Sequence, residues 1–244
     1  MSRYRILWAA AVALFVVWVG MELFRRPSST PFLRGEKLAR EQGCFACHGQ
    51  GGLSGAPNPG AEEDVPSWDG GTAMMYLEND GHIREFIEEG HRRDQDGGAG
   101  MVKMPAYRGH LSERQILALI AYVKGVSAFY PEMPDSIRSG MVTAAEAGCF
   151  GCHGPSGRGG VRNPASFKGL IPGWDDPKIH DLARDDREVE EWIRTGTLKR
   201  LEKNPIAHFF LRRQRLRMPA YDTVLSGRHE DWGRGVPNPH EFGT

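Results

Sequence analysis

The feature that most constrains this chain is a five-residue motif that occurs twice. It reads CFACH at residues 44–48 and CFGCH at residues 149–153. A Cys-x-x-Cys-His run is the attachment signature of a c-type haem, in which two thiols about one helical turn apart bind the haem and the adjoining histidine binds its iron. We therefore predict two covalent haem c groups. The predicted attachment residues are Cys44, Cys47, Cys149 and Cys152, and the predicted histidine ligands of iron are His48 and His153.

Two other kinds of site use cysteine pairs. A structural zinc site needs four thiolate or imidazole ligands that converge on one metal, whereas these two pairs lie 105 residues apart and each is followed directly by histidine. A thioredoxin-like redox site needs only one Cys-x-x-Cys, in a βαβ context. The four motif cysteines are the only ones in the chain, so none is left for a structural disulfide. The pattern favours two haem sites.

An apolar stretch near the amino terminus predicts a membrane anchor. Residues 6–24 read ILWAAAVALFVVWVGMELF, with Glu22 as the only charged residue. As a helix they would extend roughly 28 Å, close to the hydrocarbon thickness of a bilayer. A cleaved signal peptide would have a shorter apolar region and a small-x-small cleavage site, but this run ends in ELFRR. We expect an uncleaved span, and arginines on both sides of it leave its orientation open.

Length and composition indicate one or two loop-rich domains. The chain has 244 residues, of which 31 are glycine and 16 are proline. A large cofactor would supply apolar core that short domains of this kind lack. The formal net charge is zero, so nothing in the overall charge points to nucleic acid.

The sequence that follows the first motif is repeated after the second. An Asn-Pro pair begins fourteen residues after the first cysteine of each motif, at Asn58 and at Asn163. Three further pairs of segments match in order: VPSW ending at 68 with IPGW ending at 174, REFIEEG at 84–90 with EEWIRTG at 190–196, and MPAY at 104–107 with MPAY at 218–221. Such a repeat indicates two copies of one structural unit.

Helical patterns surround these motifs. One starts near Arg34 and runs to the first motif, and a second covers residues 82–89. The clearest covers residues 112–124, where Ser112 and Gln115 form a capping box before an apolar face. Residues 127–139, which contain two prolines, indicate a linker. No strand pattern of any length is present.

One histidine for each haem leaves a second axial position on iron. Histidine–methionine ligation is usual in electron-carrying cytochromes c. Met101 and Met104 both lie in the relevant region of the first copy, but only Met104 shares its Pro-Ala-Tyr context with Met218. We therefore predict Met104 and Met218 as iron ligands. The alternative is that these methionines are packing residues and that another side chain binds iron, the candidates being His91, His110 and His208.

The order of these features resembles that of class I cytochrome c domains, over residues 34 to about 225. The resemblance implies an all-α fold, with one N-terminal transmembrane helix followed by two tandem class I cytochrome c domains. It also implies haem attachment outside the cytoplasm, and hence domains on the periplasmic side of a bacterial cytoplasmic membrane. The expected division is an anchor at 1–26, a first domain at 27–126, a linker at 127–139 and a second domain at 140–244.

The resemblance further implies how the repeated residues surround the haem. Pro59 and Pro164, or Pro57 in the first copy, are expected to lie over the motif histidine and to accept its second ring proton through a backbone carbonyl. The repeated aromatic residues are expected either to reach haem propionates or to pack in the core, these being Trp68, Trp174, Tyr107 and Tyr221.

The second copy departs from the first in two ways. Its interval from first cysteine to methionine is nine residues longer, mostly between Gly196 and Met218. No counterpart of the 112–124 helix follows Met218, so the second domain is predicted to lack the usual C-terminal helix. Within Thr197–Arg217, seven basic residues and the apolar run HFFL stand against one acid, Glu202. This segment is either a solvated loop or a docking surface for another subunit.

Together these features predict a membrane-anchored dihaem cytochrome that transfers electrons between redox partners. We assign no catalytic residue and expect a non-catalytic subunit of a respiratory membrane complex, either a bc-type quinol oxidoreductase or a haem–copper oxidase. The alternative is a dihaem redox enzyme such as a peroxidase or thiosulfate dehydrogenase. Such an enzyme needs an open axial position, and the two matched methionines argue against it. A free membrane-tethered shuttle is a third interpretation, which the tether at 27–31 would suit.

Overall fold

The computed structural model describes residues 2–26, 28–70, 75–91 and 100–225. These residues are mainly helical, as predicted. The helices up to the predicted linker are α1 (Ser2–Arg25), α2 (Pro31–Glu41), α3 (Phe45–His48), α4 (Asp80–Glu89) and α5 (Glu113–Ser127). Those that follow are α6 (Asp135–Glu146), α7 (Phe150–His153), α8 (Ile179–Leu182), α9 (Asp186–Thr195), α10 (Lys199–Lys203) and α11 (Pro205–Arg213).

Shorter elements lie close to the two motifs. A 3₁₀ turn follows each motif, at Gln50–Gly52 and at Pro155–Gly157. Two strands of two residues each, β1 (Val161–Arg162) and β2 (Leu170–Ile171), pair in the second copy. The sequence predicted no strand, because two residues are too few to show an alternating pattern.

Helix α1 carries the predicted anchor. Its segment Arg3–Leu23 has a mean hydropathy of 2.2 and is long and apolar enough to cross a membrane. None of this segment is covered by the rest of the described chain. Its exposed apolar side chains are what a lipid environment would accommodate.

Contacts divide the chain into two compact units. The larger unit comprises Pro27–Val161 and Pro172–Pro177, and it contains both Cys-x-x-Cys-His motifs. The smaller unit comprises Met1–Arg26, Arg162–Ile171 and Lys178–Thr244. The division into domains at 27–126 and 140–244 stays a prediction, as does the missing C-terminal helix, since residues 226–244 lie outside the described residues.

Helix α5 forms as its sequence predicts. Ser112 and Gln115 make the capping box at its start. Its apolar face is buried, comprising Ile116, Leu119, Ile120 and Val123. The helix ends at Ser127, three residues later than predicted, where the Ser127 hydroxyl donates to the Val123 carbonyl at 2.8 Å.

The core of the larger unit lies where α2 crosses α5. The helices meet at backbone distance, because a Cβ added to Gly35 would lie 2.0 Å from the carbonyl oxygen of Ala118. Beside this crossing the rings of Phe32 and Tyr122 pack with their centroids 4.9 Å apart. The closeness of α2 to α5 positions the first motif, which directly follows α2.

We predict that Gly35→Ala destabilises the larger unit, because its methyl group would occupy the space of the Ala118 backbone. Overpacking of this kind costs about 1–3 kcal/mol. Guanidinium unfolding followed by circular dichroism measures the change. The matched control is Gly140→Ala in α6, where nothing lies within 4 Å of the added methyl, and this variant should gain up to about 1 kcal/mol. Equal effects of the two substitutions would contradict the packing.

Candidate haem sites

Each motif forms a one-turn helix that is joined to the helix before it. The backbone N–H of Cys44 donates to the carbonyl of Ala39 in α2, and that of Cys149 donates to Ala144 in α6, both at 2.9 Å. Within each turn the histidine N–H donates to the carbonyl of the first cysteine at 3.0 Å. None of the four cysteines forms a disulfide. The two thiols and one imidazole of each turn are therefore available to hold a haem.

The histidine of each motif is oriented by a proline carbonyl. Nδ1 of His48 lies 2.8 Å from the carbonyl oxygen of Pro66, and Nδ1 of His153 lies 2.9 Å from that of Pro172. Because a carbonyl can only accept, the proton sits on Nδ1 and Nε2 keeps its lone pair for a metal. This donor set fits an iron ligand.

The expectation about which proline carbonyl faces each motif histidine is wrong. Pro57, Pro59 and Pro164 do not receive the histidine proton; Pro66 and Pro172 do. The correct residues stand two positions before the tryptophan in the repeated VPSW and IPGW segments. The repeat itself was the available signal, although it cannot show which of its backbone carbonyls faces the imidazole.

A tryptophan packs beside each of these histidines. The ring centroids are 4.7 Å apart for His48 and Trp68, and 5.6 Å apart for His153 and Trp174. In the first copy the approach depends on Gly52, which has φ +82° and where a Cβ would lie 2.2 Å from the Trp68 ring. Trp68 is partly buried and packs against the core of the larger unit, whereas Trp174 is 41% exposed. That either tryptophan reaches a haem propionate stays a prediction.

Burial keeps both imidazoles neutral. Burial lowers the pKa of His48 and of His153, although the proline carbonyl opposes the shift. Neutral imidazole is the form that binds metals. Burial also raises the pKa of the Cys44 and Cys149 thiols, whereas reactive redox cysteines have a lowered pKa. The site chemistry therefore disfavours a redox Cys-x-x-Cys.

In the described part of the chain, a structural zinc site would need several ligands close together. There, no group of three or more His, Cys, Asp or Glu side chains could hold a metal ion together.

In the first copy, the segment that carries Met104 is held by the Asn-Pro pair. The side-chain oxygen of Asn58 accepts from the N–H of Val102 at 2.8 Å. The carbonyl of Pro59 accepts from the N–H of Met101 at 2.9 Å. Met104 itself packs against the hydrophobic core of the larger unit, as Cys44 does. The structure therefore brings the predicted methionine and the first motif to one core.

The second copy repeats these contacts at the same spacing from its methionine. The side chain of Asn163, 2% exposed, accepts from the N–H of Leu216 and donates to its carbonyl, each at 2.9 Å. The carbonyl of Pro164 accepts from the N–H of Arg215 at 3.2 Å. The residues two and three before Met218 are therefore held as in the first copy. The motif of this copy lies in the larger unit and Met218 in the smaller one, so ligation by Met218 stays a prediction.

Both methionine segments are also held on their far side. The N–H of Tyr107 donates to Ile87 in α4, and that of Tyr221 donates to Ile193 in α9, each at 3.0 Å. A glycine follows the last residue of α4 and of α9, and it lies against the carbonyl of the methionine of the same copy. A Cβ at Gly90 would lie 2.3 Å from the Met104 oxygen. We call this set of contacts before and after the methionine the methionine clamp.

The alternative histidine ligands lie at the surface. His91, His110 and His208 are all exposed, whereas Met104 and Met218 are half-buried. Nδ1 of His91 lies 3.0 Å from the carbonyl oxygen of Glu89 in its own loop. The clamp and this difference in burial favour the methionines.

Comparisons with known proteins agree with the first site. Residues 32–127 match the family model described as cytochrome c. A cytochrome c domain in this part of the chain implies covalently attached haem c. No solved structure matches the chain.

Three curated relatives share one name, Cbb3-type cytochrome c oxidase subunit FixP. The protein from Azorhizobium caulinodans is 28% identical over 139 residues, which are 57% of this chain and 44% of the relative. Those from Sinorhizobium medicae and Rhizobium meliloti are 28% and 27% identical over 116 residues, 48% of this chain and 37% of each relative. The chain therefore spans less than half the length of these relatives.

We predict that Asn163→Ala loosens the segment of Met218, because the N–H and carbonyl of Leu216 lose their partner. Each hydrogen bond contributes about 0.5–1.5 kcal/mol to stability, and the substitution removes two. On heating, part of the methionine–iron charge-transfer absorption should disappear at a lower temperature than in the wild type. The control is Asn204→Ala, which removes the exposed cap of α11 at a cost of about 1 kcal/mol. A loss of absorption in the control but not in Asn163→Ala would contradict the clamp.

Proposed function

We propose that this protein is a membrane-anchored dihaem c-type cytochrome that transfers electrons between redox partners as a subunit of a respiratory membrane complex. The observation that carries the proposal is the repeated site, a one-turn helix with two thiols and a histidine whose Nδ1 faces a proline carbonyl. Bound haem would supply a one-electron iron couple. Residues 44, 47, 48 and 104 would hold the first haem, and residues 149, 152, 153 and 218 the second.

In this proposal, one histidine and one methionine would hold each haem iron. The proline carbonyl fixes the imidazole orientation and raises the basicity of the nitrogen that binds the metal. Methionine as the second ligand would raise the reduction potential. The methionine clamp acts through backbone groups on either side of each methionine, so it leaves the thioether free to bind. A site with both positions filled suits electron transfer and disfavours substrate binding.

The relatives favour an oxidase over a bc-type complex. All three carry the name of a cytochrome c oxidase subunit, which supports the haem–copper oxidase among the two settings predicted from the sequence. The partners would be other subunits of that complex and a redox donor or acceptor. That a subunit docks on Thr197–Arg217 stays a prediction. The single span of α1 would place the protein in the bacterial cytoplasmic membrane, with both sites on the periplasmic side where haem c is attached.

Haem content tests the proposal first. Because both motifs present the same donors, the intact denatured chain should carry the mass of two haems by mass spectrometry. Cys149→Ala with Cys152→Ala should leave one. Cys44→Ala with Cys47→Ala is the matched variant and should also leave one. A wild-type mass with fewer than two haems would overturn the dihaem proposal.

Ligand replacement tests the role of the methionines. Met104→Ala and Met218→Ala should each remove about half of the methionine–iron charge-transfer absorption and lower one reduction potential. Met101→Ala is the control, since Met101 is 81% exposed, and should keep the full absorption. The wild type should bind carbon monoxide slowly, because both axial positions would be filled. Rapid binding together with peroxide turnover by the wild type would instead support the dihaem enzyme.

A further inference from the structure

One face of α11 is fixed to the smaller unit. The ring of Phe210 packs on Phe167 with the centroids 5.1 Å apart. Ala207 and Leu211 lie on the same face and are half-buried. The start of the helix is capped by the side chain of Asn204, which accepts two backbone N–H bonds at 3.0 and 3.1 Å. These contacts fix which face of α11 points outward.

The outward face combines large apolar side chains with cations. Ile206 is 65% exposed and Phe209 is 52% exposed. Arg212 and Arg213 are exposed beside them, and Cζ of Arg213 lies 5.1 Å from the centroid of Phe209. Exposed apolar residues in such a cluster indicate a binding surface.

The charge of this surface is mostly uncompensated within the described residues. Arg200 is bound by Glu188, through two hydrogen bonds of 2.8 and 2.9 Å. The other basic residues of Thr197–Arg217 form no ion pair in the described part of the chain, these being Lys199, Lys203, Arg212, Arg213, Arg215 and Arg217. Charge complementarity therefore calls for an anionic partner.

The same helix lies at the end of the candidate membrane span. Within the smaller unit, Cζ of Arg25 lies 6.0 Å from the ring centroid of Phe210. The Nζ of Lys178 donates to the carbonyl of Arg26 at 2.8 Å. The apolar span ends at Leu23, so Arg25 and Arg26 mark the level where a spanning helix leaves the hydrocarbon. Helix α11 is therefore held at the level of the lipid headgroups.

We propose that the outward face of α11 binds the surface of the bilayer that α1 spans. Ile206 and Phe209 would enter the boundary between headgroups and acyl chains, and the unpaired cations would contact anionic phospholipid headgroups. Interfacial helices use this combination of apolar and basic side chains. The position beside the span favours lipid over an acidic protein subunit, because lipid surrounds the end of the anchor. The inference rests on the membrane anchoring proposed above.

Nitroxide accessibility in the full-length holoprotein tests this contact. With the four native cysteines bound to haem, Ile206→Cys provides the only thiol for a spin label. In vesicles of phosphatidylcholine and phosphatidylglycerol, this label should be more accessible to oxygen than to a water-soluble nickel chelate. The matched control is Leu117→Cys on α5, 50% exposed in the wild type, whose label should show the reverse order. Arg212→Gln with Arg213→Gln should reduce the protection at position 206 without changing haem content.

The possible outcomes separate a failure of the proposed lipid contact of α11 from a failure of the membrane anchor. If the label at 206 is as open to nickel as the label at 117 while the protein floats with the vesicles, this inference fails and the anchor stands. A label shielded from both reagents, and only when other subunits copurify, assigns the face to a protein partner and also overturns the inference. Protein that does not float with vesicles overturns the anchor together with this inference, whereas the haem content is measured independently of both.

Discussion

The hydrogen bond between the motif histidine and a proline carbonyl determines the character of both sites. It places the proton on Nδ1, directs Nε2 away from the protein backbone and, with burial, keeps the imidazole neutral. The loop that supplies the carbonyl must return to the histidine, and it does so where Trp68 and Trp174 donate their backbone N–H groups to Gly52 and Gly157, each at 2.6 Å. The 3₁₀ turns, the glycines and the tryptophans thus all help to place the proline carbonyl beside the histidine.

The methionine clamp explains how the second copy tolerates additional residues. The contacts of Asn163 and Pro164 fix the chain immediately before Met218, and α9 fixes it immediately after. The longer chain segment between Gly196 and Leu216 therefore changes neither end. In this structure it forms α10 and α11. The second copy thereby carries α10 and α11 between two ends that keep the repeated contacts.

The sequence predicted those features that depend on side-chain type and period. Helix α5 follows from its capping box and apolar face, and the matching contacts of the two methionine segments follow from the repeat. The sequence could not predict which backbone carbonyl faces the imidazole, since every residue has a carbonyl. The carbonyls of Pro59 and Pro164 instead hold the methionine segments. Helix α6 begins inside the predicted linker because Pro134 precedes its first turn, and a proline there permits a helix as readily as it ends one.

The turn after the second motif packs on the end of α5, which belongs to the region matched by the cytochrome c family model. Within the larger unit, the hydroxyl of Ser156 donates to the carbonyl of Gly125 at the end of α5, at 2.8 Å. Cζ of Arg158 lies 5.3 Å from the ring centroid of Tyr130. The turn that follows the second motif is thus held against α5 and the residues just after it. The separation of the two motifs is therefore set by side-chain and backbone contacts rather than by the length of the connecting chain. Under the dihaem proposal, this fixed separation would serve electron transfer between the two haems.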